Sequence, residues 1–155
     1  MRTIEWKDGI VELIDQTRLP NETVWVKITD YKNMASAIKE MKLRGAPLIG
    51  VAAAYGLALT AFHSKAETRE DLIKELEESA KVLRKTRPTA VNLFWAIDRV
   101  MKKACETLGT KKALAESIIT EAKSMADEDV KTNRRMGKHG AELLDDGDTV
   151  LTHCN

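Results

Sequence analysis

The stretch Arg44-Gly45-Ala46-Pro47-Leu48-Ile49-Gly50-Val51-Ala52-Ala53-Ala54-Tyr55-Gly56-Leu57-Ala58-Leu59-Thr60-Ala61-Phe62 organises the chain. From Ala46 to Phe62 it carries no charge. That length lies at the lower edge of a membrane span, and Ala and Gly partition weakly into hydrocarbon, so a buried core helix is the favoured reading. Pro47 suits the first turn of such a helix, and Gly45 suits the left-handed end of a preceding one. The spacing of Gly50 with Ala54 and of Ala52 with Gly56 predicts close packing against other helices.

Working outward, the residues before this helix favour strands. Thr3–Trp6, Ile10–Ile14 and Thr23–Ile28 are β-prone runs, broken by Asp8-Gly9 and by Pro20-Asn21. A small antiparallel meander fits. Asp30 is a candidate N-cap for a helix over 31–43, with Met34, Ile38 and Met41 on one face. After the core helix, Thr68 with Asp71 opens a helix whose stripe is Leu72, Leu76, Ala80 and Leu83. Thr89 is a candidate cap for a helix running through Trp95 toward Leu108. Gly109-Thr110 starts another through Leu114, Ile118, Ala122 and Met125. A last helical pattern passes Gly137 and Gly140 to Leu143-Leu144. The acidic turn Asp145–Asp148 then launches an apolar strand, 149–152.

The expected fold class is therefore α+β: a β-meander, then a helical bundle, then the opening strand of an α/β unit. A solitary strand would leave its backbone groups unpaired, so the sequence is expected to be incomplete. Residues 1–136 are expected to form one domain and 137–155 the start of a second.

The chain has 155 residues, with Lys+Arg 25 against Asp+Glu 24 and a net charge of +1. No electrostatic case for a nucleic-acid groove arises from that balance. Two cysteines, Cys105 and Cys154, make no disulfide framework and indicate a reducing compartment; the amino terminus shows no signal peptide, so a cytoplasmic location is expected. Cys105, beside Ala104, is expected in the core. His63 and His139 show no ligand spacing, so no metal site is expected.

Three segments carry polar chemistry. At Arg44-Gly45-Ala46, a guanidinium, a flexible residue and free helix N–H groups make an anion site. Arg87-Pro88-Thr89-Ala90-Val91-Asn92-Leu93 repeats that logic, with Pro88 holding Arg87 extended. Taken singly, an ordinary turn with a solvated Arg accounts for each, and spacing alone does not show that the two converge. In Leu151-Thr152-His153-Cys154-Asn155, polar residues end a strand. Cys154 is there either an acid–base or nucleophilic thiol, or a small buried hydrophobe.

The order of these segments resembles the methylthioribose-1-phosphate isomerase family. Ile4-Glu5-Trp6 and Leu13-Ile14-Asp15-Gln16-Thr17-Arg18-Leu19-Pro20 are similar to its opening. The Arg44-Gly45-Ala46-Pro47 and Arg87-Pro88-Thr89-Ala90-Val91-Asn92-Leu93 segments look like its two substrate-binding turns, and the Cys154 segment like its catalytic strand. Trp6 and the Asp15–Pro20 run favour this family over ribose-1,5-bisphosphate isomerases and the regulatory subunits of translation initiation factor 2B. The resemblance implies conversion of 5-methylthioribose 1-phosphate to 5-methylthioribulose 1-phosphate in methionine salvage, without organic cofactor or metal. It implies substrate binding by Arg44, Gly45, Ala46 and Arg87, and participation of Cys154 in catalysis. It also implies a homodimer and a second, Rossmann-like domain bearing a catalytic aspartate. This chain alone is expected to be inactive.

Overall fold

The computed structural model describes residues 2–152. Strand β1 (Ile4–Lys7) and strand β2 (Ile10–Ile14) form a hairpin whose two loop residues, Asp8 and Gly9, both take positive φ, at 45° and 83°. That is the geometry whose twist matches antiparallel strands. Strand β3 (Trp25–Ile28) pairs antiparallel with β2, with Val11 opposite Ile28 and Leu13 opposite Val26, giving the order β1-β2-β3. Ile4, Val11, Leu13 and Ile28 are buried and seat the sheet on the helices.

Asp30 caps α1 (Tyr31–Lys39) by accepting hydrogen bonds from the N–H groups of Lys32 and Asn33, at 2.9 and 2.8 Å. The helix ends earlier than its apolar pattern suggested. Met41, not Gly45, takes the left-handed position after it, at φ 60°, and its side chain is exposed. Helix α2 (Ala46–His63) is the core. Twelve of its residues are buried, and it is long and apolar enough to cross a membrane, yet here every other helix packs around it or its neighbours. At Gly56 a Cβ would crowd the ends of Leu83 and Met34. Helix α3 (Arg69–Arg84) is capped by Thr68 and buries all four expected stripe residues.

Helix α4 (Val91–Glu106) has Ala90 rather than Thr89 at its N-cap position. A tight turn closes when the Ala90 N–H donates to the Arg87 carbonyl at 3.0 Å, and this places Ala90 at the cap. Cys105 is exposed, which corrects the core expectation: Ala104 points inward, and the next residue lies about 100° round the helix.

Helix α5 (Lys111–Ala141), capped by Thr110, is continuous where the sequence suggested two segments. The position between residues 136 and 137 lies within it. Its first half buries Leu114, Ile118, Ala122 and Met125, while residues 131–139 are exposed over about 14 Å of helix. Residues 149–152 do not form the expected strand. Among the described residues no strand lies beside them to complete a ladder, and Leu151 is 98% exposed.

Candidate functional site

Among the described residues, three of the five helices begin with a side-chain cap, and two do not. Asp30, Thr68 and Thr110 accept hydrogen bonds from the first turns of α1, α3 and α5. Gly45 and Ala90, which open α2 and α4, have no side chain able to do so, and neither first turn contains an acidic residue. The first N–H groups of any helix lack an internal acceptor, and the aligned peptide dipoles leave them positive. In α2 the donors are the N–H groups of Ala46 and Leu48, since Pro47 has none. In α4 they are those of Val91 and Asn92. The Ile49 and Leu93 N–H groups already donate to the Gly45 and Ala90 carbonyls, each at 3.0 Å.

These two uncapped ends are neighbours. A Cβ built on Gly50 would lie 2.9 Å from the Asn92 carbonyl oxygen and 3.4 Å from the Ala96 Cβ. The second turn of α2 therefore rests directly on the first turns of α4. Both helices run antiparallel to α5. Lys111, at the start of α5, donates to the carbonyl of Ser64, just past the end of α2, at 2.8 Å. Thr107 hydrogen-bonds Ser117 at 2.9 Å, while Arg99 reaches on to Glu121 and Glu128. The amino ends of α2 and α4 consequently share one end of the bundle, the end past which the exposed stretch of α5 continues.

Gly45 is held at φ 101° and ψ 127°, a conformation that side-chain-bearing residues rarely adopt, and among the described residues no atom lies within 4 Å of the place of its missing Cβ. Its backbone is left open to a ligand. Arg44, Gly45 and Ala46 are exposed and Arg87 is half-buried. Among the described residues neither arginine takes part in an ion pair or a side-chain hydrogen bond. Other arginines of this region are committed. Arg84 pairs with Asp98 and lies 5.4 Å from the centre of the Phe94 ring. Arg99 donates to Glu121 at 2.6 Å and to both oxygens of Glu128, and it stacks on Trp95 at 5.5 Å. These bonds hold the Glu128 carboxyl down at about 2 and push the Arg99 guanidinium further up.

The structure thus sets the starts of α2 and α4, each preceded by one of these arginine turns, side by side at one end of the bundle, a proximity that sequence spacing left open. Cys154 lies outside the described residues. Sequence reading missed a groove of about 410 Å³ between the chain start, α2 and α5, lined by Arg2, Leu48, Val51, Asn133 and Arg134 among others. Among the described residues no group of three or more His, Cys, Asp or Glu is placed to hold a metal.

The chain has clear relatives among known proteins. The chain is 48% identical over 155 residues to the methylthioribose-1-phosphate isomerase of Desulforudis audaxviator, covering all of this chain and 44% of that protein. The crystal structure of 5-methylthioribose 1-phosphate isomerase from Pyrococcus horikoshii OT3 superposes with a TM-score of 0.89 at 46% identity, over 92% of this chain and 40% of that one. A crystal structure of translation initiation factor eIF-2B, subunit delta, from A. fulgidus gives 0.91 at 43% identity, over 100% of this chain and 45% of that one. The chain spans less than half the length of these relatives. The model of the initiation factor 2 subunit family matches residues 42–155, and the chain belongs to that family.

Proposed function

We propose that this chain forms the phosphate-anchoring part of an aldose–ketose isomerase that converts 5-methylthioribose 1-phosphate to 5-methylthioribulose 1-phosphate. The observation that carries this reading is the pairing of two uncapped helix starts, each with an uncommitted arginine beside it. A phosphate dianion bridging the two ends would accept hydrogen bonds from backbone N–H groups and from both guanidiniums. The likeness to isomerases over the whole chain supplies the substrate.

The substrate's phosphate sits on the anomeric carbon and blocks simple ring opening, so it must be gripped while the C–O bond of the ring is broken. Arg44, the Gly45 and Ala46 backbone, and Arg87 perform that grip. Cys154 assists transfer of hydrogen between the first two sugar carbons. An aspartate from a Rossmann-like domain that begins with residues 137–155 completes the site in a cytoplasmic homodimer acting in methionine salvage. No organic cofactor or metal takes part.

The competing reading is a non-catalytic regulatory subunit of the translation initiation factor 2B type, for which the 43% identity to the A. fulgidus eIF-2B subunit delta speaks. A chimera decides between them: this chain continued by the remaining part of the D. audaxviator relative, assayed with 5-methylthioribose 1-phosphate. The isomerase reading expects ketose formation by the chimera, near-complete loss with Cys154→Ala at unchanged phosphate affinity, and no turnover by the 155-residue chain alone. A folded chimera that binds no sugar phosphate would favour the regulatory reading.

A further inference from the structure

We infer that Gly50 is a positioning residue for this anion site: its missing side chain lets the first turns of α2 and α4 touch, so that both address a single anion. The inference rests on the phosphate-anchoring reading above and adds how the two ends are held in register. Gly50 is buried in the second turn of α2, one turn beyond the Gly45 cap. Across from it lie backbone and a short side chain, the Asn92 carbonyl oxygen at 2.9 Å and the Ala96 Cβ at 3.4 Å from the position a Cβ would take. A carbonyl oxygen in a helix cannot swing aside as a side chain can. Any residue larger than glycine must therefore push α4 away or rotate it, and Val91 and Asn92, whose N–H groups face the anion, move with it.

Gly56, two turns along the same helix, provides the control. It is equally buried, but its neighbours are side-chain atoms, the two Cδ atoms of Leu83, at 3.1 and 3.3 Å, and the Cγ of Met34, rather than the backbone of another helix. The two glycines thus separate helix packing in general from registration of the two helix starts.

The test is titration of the isotope-labelled chain with inorganic phosphate, following the backbone amides of Ala46, Leu48, Val91 and Asn92 by NMR. In the wild-type chain all four move along one binding curve. Gly50→Ala is expected to raise the dissociation constant about fivefold to tenfold, the loss of one helix end's share, or to split the amides into two curves. Gly56→Ala is expected to leave the constant unchanged, whichever way thermal stability moves. Wild-type affinity in a folded Gly50→Ala chain would overturn the inference. Should that variant fail to fold, Ala96→Ser, which presses the same contact more gently from the α4 side, takes its place under the same criterion. A wild-type chain whose amides ignore phosphate would overturn the anchoring reading itself, which is a different result.

Discussion

Arg99 on α4 grips Glu128 on α5 with two hydrogen bonds, Nη1 to Oε2 at 2.6 Å and Nη2 to Oε1 at 2.8 Å. The same guanidinium donates to Glu121 at 2.6 Å and stacks on Trp95. Two helices are clamped by a planar fork, a geometry that lysine could not reproduce. Because α4 carries one of the two uncapped starts, this clamp also fixes where that start sits.

The clamp has a pH signature. The Glu128 carboxyl titrates at about 2 in the fold, below its usual value of 4.5. A carboxyl lowered by folding adds stability above its unfolded value and loses it as pH falls toward the folded one. Glu128→Gln is therefore expected to reduce stability near neutral pH by about 1 kcal/mol, the upper range for a half-exposed pair, or about 2–4 °C in Tm. The difference from wild type should shrink steadily between pH 4.5 and about 2. Thermal melts across that range check it, and a difference independent of pH would contradict the assignment.

Gly9 is fixed for two reasons at once. Its φ is 83°, and a Cβ there would run into the Phe62 ring. Gly9→Ala should destabilise the chain by about 1–3 kcal/mol, through left-handed strain plus the clash. Adding Phe62→Leu should recover part of that loss, leaving the backbone cost. Chemical denaturation of the single and double variants measures both, and no recovery would place the whole cost in the backbone.

Giving α4 the cap it lacks should separate stability from binding. Ala90 has the extended backbone of an N-cap, at φ −84° and ψ 95°. Ala90→Asp is expected to raise stability by about 0.5–1 kcal/mol, since aspartate caps well and its charge suits the dipole. It should also abolish phosphate binding, because a carboxylate then occupies the anion's place. A stabilised variant with intact phosphate affinity would mean that this helix end does not face the ligand.

Much of the fold was legible in the sequence because each signal was local. The charge-free run from Ala46 identified the core helix, Asp30 and Thr68 announced their helices, and the stripe Leu72, Leu76, Ala80, Leu83 gave the buried face of α3. The errors lie where local signals competed. Thr89 looks like a cap, but the turn closed by the Ala90 N–H moves the helix start one residue on. Cys105 borrowed its expected burial from Ala104, although helical neighbours face different ways. The strand at 149–152 had the right residue types and no strand beside it among the described residues. The candidate site was half legible. Each arginine turn could be found from its motif, but the packing of the two helix starts depends on a glycine-to-carbonyl contact 42 residues apart, which no sequence window contains.

The arginines themselves should matter for binding and not for folding. Arg44 and Arg87 make no ion pair among the described residues, so alanine at either position should change stability by less than about 0.5 kcal/mol. Affinity for 5-methylthioribose 1-phosphate should fall by about 1.5–3 kcal/mol for each, the scale of a charged hydrogen bond. Calorimetric titration of the two single variants and the double variant checks this, and a double variant no weaker than either single one would show that the two act as one unit.

The central claim, that the starts of α2 and α4 hold one phosphate between them, is tested most directly by a crystal structure of this chain with 5-methylthioribose 1-phosphate. The account predicts the phosphate oxygens about 3 Å from the Ala46 and Val91 or Asn92 N–H groups, with the Arg44 and Arg87 guanidiniums closing over them. A phosphate bound elsewhere, for example between Arg2 and Arg134 in the groove beside α5, or one touching a single helix start, would contradict it.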